Sequence, residues 1–190
     1  MKTFKNIIVG IDFTPSCRNA LREAARRASL DQAAVSAIHV MDEFLAHELK
    51  KALSTDEAHV AAEVRIGHPF AELMDACKSH SADLLIMGAK GSKGGEHRIG
   101  AIAAKCVRKA SIDVMIVRED AQGPFRHVVA CVDFSENSAK AVQAALHIAA
   151  QDKADLDCLY VYQSALALSL DYGGYAPPLP TNPDEDALKL

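Results

Sequence analysis

Short apolar runs alternate along the chain with longer segments in which apolar residues recur every three or four positions. Two of these runs, NIIVGI at 6–11 and HVVACV at 127–132, are rich in β-branched residues, and an aspartate follows each. Runs of this length are too short for a helix and are typical of buried parallel strands. Their alternation with helix-like segments predicts an α/β fold with an open parallel sheet and right-handed crossovers.

The first 118 residues contain five strand-like runs. Thr14 is a suitable N-cap for the helix after the first run, and Pro15 suits its first position. The arginines Arg18, Arg22, Arg26 and Arg27 lie mostly off the alanine-rich face of this helix. This position favours a solvated face, with contact to an acidic partner as the alternative. We predict strands at 7–11, 35–40, 59–66, 83–87 and 114–117, a helix from Pro15 onward, and further helices at 43–53, 69–80 and 99–110.

The chain contains an internal repeat. Residues 4–40 align without gaps on residues 125–161, so that Phe4 falls on Phe125 and Asp12 on Asp133. The second copy has no counterpart of residues 59–118. Because a strand-helix-strand fragment leaves two sheet edges bare, we expect it to pack against the first domain or against a second chain. The resulting division is a domain at 1–118, a linker at 119–124, a partial second copy at 125–165, and a loop or disordered tail at 166–190.

A glycine-rich stretch, MGAKGSKGGEHRIG at 87–100, follows the fourth run. In open parallel sheets, ligands bind beyond the carboxyl ends of the strands where the strand order reverses. If the first and fourth strands are neighbours, Asp12 and this stretch face one crevice. Backbone amides there and at the start of the next helix could then hold an anion, although a mobile connector explains the glycines equally well. The residues that would donate these amides are Gly88, Lys90, Gly91, Ser92 and the helix start from Gly100 to Ile102.

Composition narrows the classes of partner and compartment. The 190-residue chain has a net charge of -4, which gives no electrostatic reason to expect nucleic acid or an anionic membrane as partner. No window is apolar enough to span a membrane. Its five cysteines form no Cys-x-x-Cys pair. These features predict mostly buried, reduced thiols and a cytoplasmic protein.

Other candidates for chemistry are weak. His47 and Glu48 begin a metalloprotease motif, but Lys51 replaces its second histidine, so we predict no zinc site. Asp12 and Asp133 follow strands, and we favour ligand binding over catalysis for them, with turn formation as the alternative. A helix N-terminus could lower the pKa of Cys17, but nothing else marks it as a nucleophile. We therefore predict no catalytic residue.

Four segments carry a resemblance to a known family. They are IIVGIDF at 7–13, its repeat VVACVDF at 128–134, ADLLIMGAKG at 82–91 and IGAIAAKCVRKASIDVMIV at 99–117. With them the chain resembles a tandem member of the universal stress protein family. The resemblance implies a five-stranded parallel sheet in the order 3-2-1-4-5 with helices on both faces, dimers through the last strand and, in one subgroup, ATP binding.

The resemblance also implies where ATP would lie. The ATP-binding subgroup carries Gly-x2-Gly-x9-Gly followed by Ser or Thr, whereas here eight residues separate Gly91 from Gly100 and Ala101 takes the hydroxyl position. A lost hydrogen bond to a phosphate costs about 1.5–3 kcal/mol, which weakens binding about 10- to 100-fold. By resemblance Asp12 and Val40 border the adenosine, while Met87, Gly88, Lys90, Gly91, Gly100 and Ala101 border the ribose and phosphates.

Together with the residues above, this resemblance leads us to predict a non-enzymatic stress-response signalling module. It would bind ATP weakly on the first domain, take Mg²⁺ only with the nucleotide, form a homodimer and contact a protein partner. The second copy retains Asp133 but lacks the glycine-rich loop, so we expect no nucleotide there. One alternative is an interaction or dimerisation protein that binds no nucleotide, and a less favoured one is a nucleotide hydrolase.

Overall fold

The computed structural model describes residues 2–41, 60–90, 99–121 and 123–162. The predicted helix at 43–53 and the predicted tail at 166–190 lie outside these residues, as do His47, Glu48 and Lys51. The division of the chain into domains stays a prediction.

Strands and helices alternate through the described residues. The strands are β1 (Asn6–Ile11), β2 (Ala34–Met41), β3 (Val60–Ile66), β4 (Leu84–Gly88), β5 (Asp113–Val117), β6 (His127–Val132) and β7 (Asp155–Tyr160). The helices are α1 (Pro15–Asp31), α2 (Pro69–Ser79), α3 (Ala101–Lys109) and α4 (Glu136–Asp152). None of the described helices is long and apolar enough to cross a membrane.

The first five strands form one parallel sheet in the order β3-β2-β1-β4-β5, which confirms the predicted fold class. β1 pairs with β2 on one side and with β4 on the other, so the strand order reverses between β1 and β4. Alternate residues of β1 face opposite sides of the sheet. Ile7 and Val9 pack in the core beneath α1, while Ile8 packs in the core beneath α2 and α3.

α1 is capped at both ends by local hydrogen bonds. The hydroxyl of Thr14 accepts a hydrogen bond from the Cys17 backbone N–H at 3.3 Å, and Pro15 occupies the first turn. These observations confirm the predicted N-cap. At the other end Gln32 adopts a left-handed conformation (φ 55°), and the backbone N–H of Ala33 donates to the Ala28 carbonyl. α1 is thereby fixed at both ends across the face of β1 and β4.

The second copy repeats this pattern in its strand-helix-strand unit. β6 and β7 form a separate two-stranded parallel sheet, and Ser135 caps α4 as Thr14 caps α1. Val129, the repeat equivalent of the buried Ile8, is 53% exposed. It is exposed because the described part of the second copy contains no counterparts of α2 and α3.

Charged side chains join the two copies. Arg27 of α1 donates to the carboxylate of Asp152 on α4 at 2.7 Å, and its guanidinium also bonds Gln151 at 2.5 Å. In the opposite direction, the Asp31 carboxylate lies 2.9 Å from Nε2 of His147. The fragment thus packs against the first domain, one of the two alternatives that the sequence left open.

This junction corrects one prediction from the sequence. Arg27 does not belong to a solvated face, because it is fully buried, and Glu23 beside it is 6% exposed. Helical periodicity identified the alanine stripe that faces the sheet. It carried no sign that a second side of α1 meets another helix.

Candidate functional site

The crevice at the strand reversal is formed by the carboxyl ends of three strands and the start of one helix. β1 contributes Gly10, β2 contributes Val40 and β4 contributes Met87 and Gly88, while Gly100 precedes α3. Because parallel strands share a direction, these ends lie at one edge of the sheet. They enclose a pocket of about 500 Å³, a volume within the range of small-molecule sites.

Eight of the ten predicted site residues line this pocket. They are Asp12, Val40, Met87, Gly88, Lys90, Gly100, Ala101 and Ile102. The other two, Gly91 and Ser92, lie outside the described residues. The assignment of ligand contacts to these residues stays a prediction, while their common location is a property of the fold.

The residue at the end of β1 shapes the turn into α1. One oxygen of Asp12, Oδ1, accepts hydrogen bonds from the Thr14 backbone N–H at 3.1 Å and from its hydroxyl at 2.6 Å. Between them Phe13 takes a left-handed conformation, with φ of 62°. The turn-forming role that the sequence offered for Asp12 is therefore present, and Oδ2 makes no hydrogen bond within the described residues.

A hydroxyl of α1 and the hydroxyl of its N-cap residue lie against the segment that leaves β4. The Ser16 hydroxyl donates to the carbonyl of Lys90 at 3.0 Å, and the Thr14 hydroxyl lies 3.4 Å from the same oxygen. Gly88 permits this close approach. A Cβ at Gly88 would lie 3.0 Å from the backbone nitrogen of Cys17 and 3.0 Å from the carbonyl carbon of Ser16.

The N-terminus of α3 supplies backbone donors to the pocket. Gly100 is its N-cap, and the Gly100 N–H is already bonded to the Ala89 carbonyl at 2.8 Å. The amides of the first helical turn have no acceptor within a helix. Those of Ala101, Ile102 and Ala103 belong to residues that line the pocket, so this edge favours negative charge. At Ala101 the helix presents a methyl group and no hydroxyl.

Charge in the described lining of the pocket is balanced between one acid and one base. Asp12 provides the carboxylate and Lys90 the ammonium group. No group of His, Cys, Asp or Glu that could hold a metal ion occurs within residues 2–41, 60–90, 99–121 and 123–162. The arrangement can therefore bind an anion by backbone amides and Lys90, beside an apolar wall.

The apolar wall contains residues that the sequence did not indicate. Pro69 and Leu73 of α2 line the pocket together with Ile38 of β2. Strand alternation offers a signal for part of this set, because Gly10 shares a sheet face with Ile8 and Val40 shares it with Ile38. The contribution of α2 depends on how that helix crosses the sheet, which sequence spacing does not specify.

Cys17, the thiol near the site, does not have the lowered pKa that its position at the start of a helix suggests. Cys17 lies in the first turn of α1 and is 4% exposed. Burial raises the pKa of this thiol, and hydrogen bonding from the backbone opposes the rise only in part. The sequence-based suggestion of a lowered pKa at Cys17 was wrong in direction, because removal from water outweighs the helix terminus.

Comparisons with known proteins agree with the geometry. The model of the universal stress protein family matches residues 3–61, 42–118 and 124–189. No curated protein matches the chain.

Three solved structures illustrate the similarity in fold. Universal stress protein UspA from Lactobacillus plantarum is 23% identical, with a TM-score of 0.55 over 62% of this chain and 100% of its own. A universal stress protein in complex with cAMP is 21% identical, with a TM-score of 0.51 over 63% and 100%. The universal stress protein from Archaeoglobus fulgidus is 20% identical, with a TM-score of 0.50 over 60% and 98%.

Proposed function

The chain belongs to the universal stress protein family, and from that premise we propose that it is a non-enzymatic signalling protein that binds ATP weakly in the pocket of its first copy. The observation that carries this proposal is the convergence of Gly88, Lys90 and the N-terminus of α3 on one 500 Å³ pocket. Amides and an ammonium group suit phosphate, and the wall of Val40 and Leu73 suits a base. A relative of the same fold is known in complex with cAMP, an adenine nucleotide.

Weak binding follows from position 101. The methyl group of Ala101 cannot donate a hydrogen bond to a phosphate oxygen, while the backbone amides of the first turn still can. The loss of such a bond weakens affinity about 10- to 100-fold. Mg²⁺ would enter only with the nucleotide, held by its phosphates.

The hydrogen bonds of Asp12 favour a signalling role over ATP hydrolysis. It is the one carboxylate in the described lining of the pocket, and Oδ1 is occupied by two hydrogen bonds from Thr14. A carboxylate that holds a turn suits positioning better than proton abstraction. A ligand bound between β4 and α3 would hold these two elements together and so alter the protein surface beside them. A partner protein or a second copy of the chain would bind that altered surface with a different affinity. We also propose a cytoplasmic location, which the absence of paired Cys-x-x-Cys motifs in the sequence favours.

Titration calorimetry with ATP and Mg²⁺ tests the proposal. We expect saturable binding weaker than micromolar, reduced in Asp12→Ala and unchanged in Asp133→Ala. Asp133 is a matched control because its Oδ1 accepts from the Ser135 N–H at 3.0 Å in the equivalent turn of the second copy. Submicromolar affinity would contradict the weakened site. Absence of binding would favour the interaction protein, and ATP hydrolysis lost in Asp12→Ala would favour an enzyme.

A further inference from the structure

A second cavity lies along α1, and it shares no lining residue with the pocket at the strand reversal. Its volume is about 610 Å³. α1 forms one part of its lining, Glu119 and Ala121 of the segment between the copies form another, and Phe125 is contributed by the second copy. The cavity is therefore a product of the tandem arrangement, since the first copy alone lacks the wall at Phe125.

Three arginines of α1 line this cavity. Arg18, Arg22 and Arg26 follow one another at intervals of four residues, so their side chains lie on one face of the helix. Arg26 is neutralised by Glu23 at 2.7 Å and by Asp152 at 2.5 Å.

Arg18 and Arg22 remain uncompensated. Neither forms an ion pair within the described residues, and Arg22 donates only to the side-chain oxygen of Asn19 at 3.3 Å. The remaining carboxylate of the lining is Glu119, whose backbone carbonyl accepts from Asn19 at 2.7 Å. The lining thus carries two unpaired guanidinium groups against one carboxylate, which leaves it positively charged.

The floor of the cavity is apolar and held in place. The ring of Phe125 lies beneath the guanidinium groups of Arg26 and Arg27, whose central carbons are 5.9 and 5.4 Å from the ring centroid. The backbone N–H of Phe125 donates to the buried carboxylate of Asp152 at 2.9 Å. Val117 extends this apolar surface toward the end of β5.

We propose that this cavity binds a small phosphorylated molecule that carries an aromatic or apolar group. Its phosphate bonds Arg18 and Arg22, because planar guanidinium groups present paired N–H donors that match phosphate oxygens. Its apolar group lies toward Phe125 and Val117. The volume accommodates a molecule of nucleotide size or smaller. Glu119 disfavours the anion and so limits the affinity.

Phenyl phosphate is a suitable probe because it joins a phosphate to one aromatic ring. Titration of the full chain, followed by amide chemical shifts, should show saturable binding with shifts at Arg22, Glu119 and Phe125. Arg18→Gln and Arg22→Gln should each weaken binding about tenfold or more, which corresponds to one lost charged hydrogen bond. Arg108→Gln, on the exposed face of α3, is the matched control and should change nothing.

A variant with the opposite effect distinguishes binding at this site from non-specific attraction of the phosphate to positive charge. Glu119→Gln should tighten binding, because it removes the carboxylate that opposes the phosphate. The proposal is overturned if phenyl phosphate fails to saturate at millimolar concentration, or if Arg108→Gln weakens binding as much as Arg22→Gln. Binding of a hexaglutamate peptide in its place, lost in Arg22→Gln, would instead identify a protein partner and also overturn it.

Discussion

Arg27 and Asp152 face each other across the two copies with both side chains fully excluded from solvent, and Nη2 of Arg27 lies 2.7 Å from Oδ2 of Asp152. Removing one member of such a pair leaves the other buried without compensation, at a cost of about 3–5 kcal/mol. We therefore expect Asp152→Asn to lower the free energy of unfolding by that amount in urea denaturation followed by circular dichroism. Asp120→Asn, which breaks an exposed pair with Arg118, is the control. Equal losses in the two variants would contradict the buried junction.

The same pair predicts how stability depends on pH. Burial acts to raise the pKa of Asp152, but hydrogen bonds from Arg26 and the Phe125 N–H, with the charges of Arg27 and Arg26, outweigh it and leave the pKa below its ordinary value. A carboxylate with a depressed pKa in the folded state stabilises the protein above its unfolded pKa of about 3.9. This stabilisation disappears as the pH falls through the folded value. The difference between wild type and Asp152→Asn should accordingly narrow below about pH 4. A difference that stayed constant down to about pH 2 would contradict this linkage.

Apolar patterning predicted the sheet and its caps because those features depend on local chemistry. Each of these features is recognisable from a few neighbouring residues. Examples are the apolar strand from Ile7 to Ile11, the capping hydroxyl of Thr14 and the glycine at position Gly88. The strand order came from the family resemblance, and the sheet confirms it. It was this order that placed Asp12 and Gly88 beside one pocket.

The burial of Arg27 at the junction between the copies escaped prediction for a physical reason. The aspartates Asp31 and Asp152 occupy equivalent repeat positions, and each carboxylate accepts a backbone N–H from a phenylalanine of its own copy. Periodicity within one helix does not report that each aspartate also bonds the other copy's helix. Arg27 is buried because α1 contacts α4, and the two contacting residues, Arg27 and Asp152, are more than a hundred residues apart in sequence.

Gly88 tests how closely α1 must approach the pocket. Gly88→Ala places a Cβ 3.0 Å from backbone atoms of Ser16 and Cys17, which cannot rotate away. We expect a loss of about 1–3 kcal/mol in the free energy of unfolding, as overpacking typically causes, together with weaker ATP binding. Gly10→Ala lines the same pocket but meets the flexible Leu73 side chain at 3.4 Å, so its stability should change less. Equal stability of the two variants would mean that α1 shifts freely.

Thiol reactivity should separate the cysteines into two groups. Cys17, Cys77 and Cys106 are buried, whereas Cys131 and Cys158 are exposed. Burial raises the pKa of Cys17 and Cys106 and raises that of Cys77 to about 11, which leaves little thiolate at neutral pH. Iodoacetamide should therefore modify Cys131 and Cys158 first, as measured by mass spectrometry of peptides over time. Modification of Cys17 at the rate of Cys158 in the native protein would contradict the packing of α1.

Restoring a hydroxyl at the start of α3 tests the weakened phosphate site. Ala101→Ser places an O–H donor in the first turn of α3, at a position that lines the pocket. If ATP lies there, one added bond to a charged phosphate should tighten binding about 10- to 100-fold.

Ala104→Ser provides the control for that gain, because Ala104 lies in the same helix but does not line the pocket. It introduces the same side chain into α3 without offering the ligand a donor, so its ATP affinity should equal that of wild type. Calorimetry on the three proteins decides the matter. Equal affinities would show that the phosphates do not approach Ala101, whereas tightening in both variants would indicate an effect through α3 as a whole. Tightening confined to Ala101→Ser would place the phosphates at the N-terminus of α3.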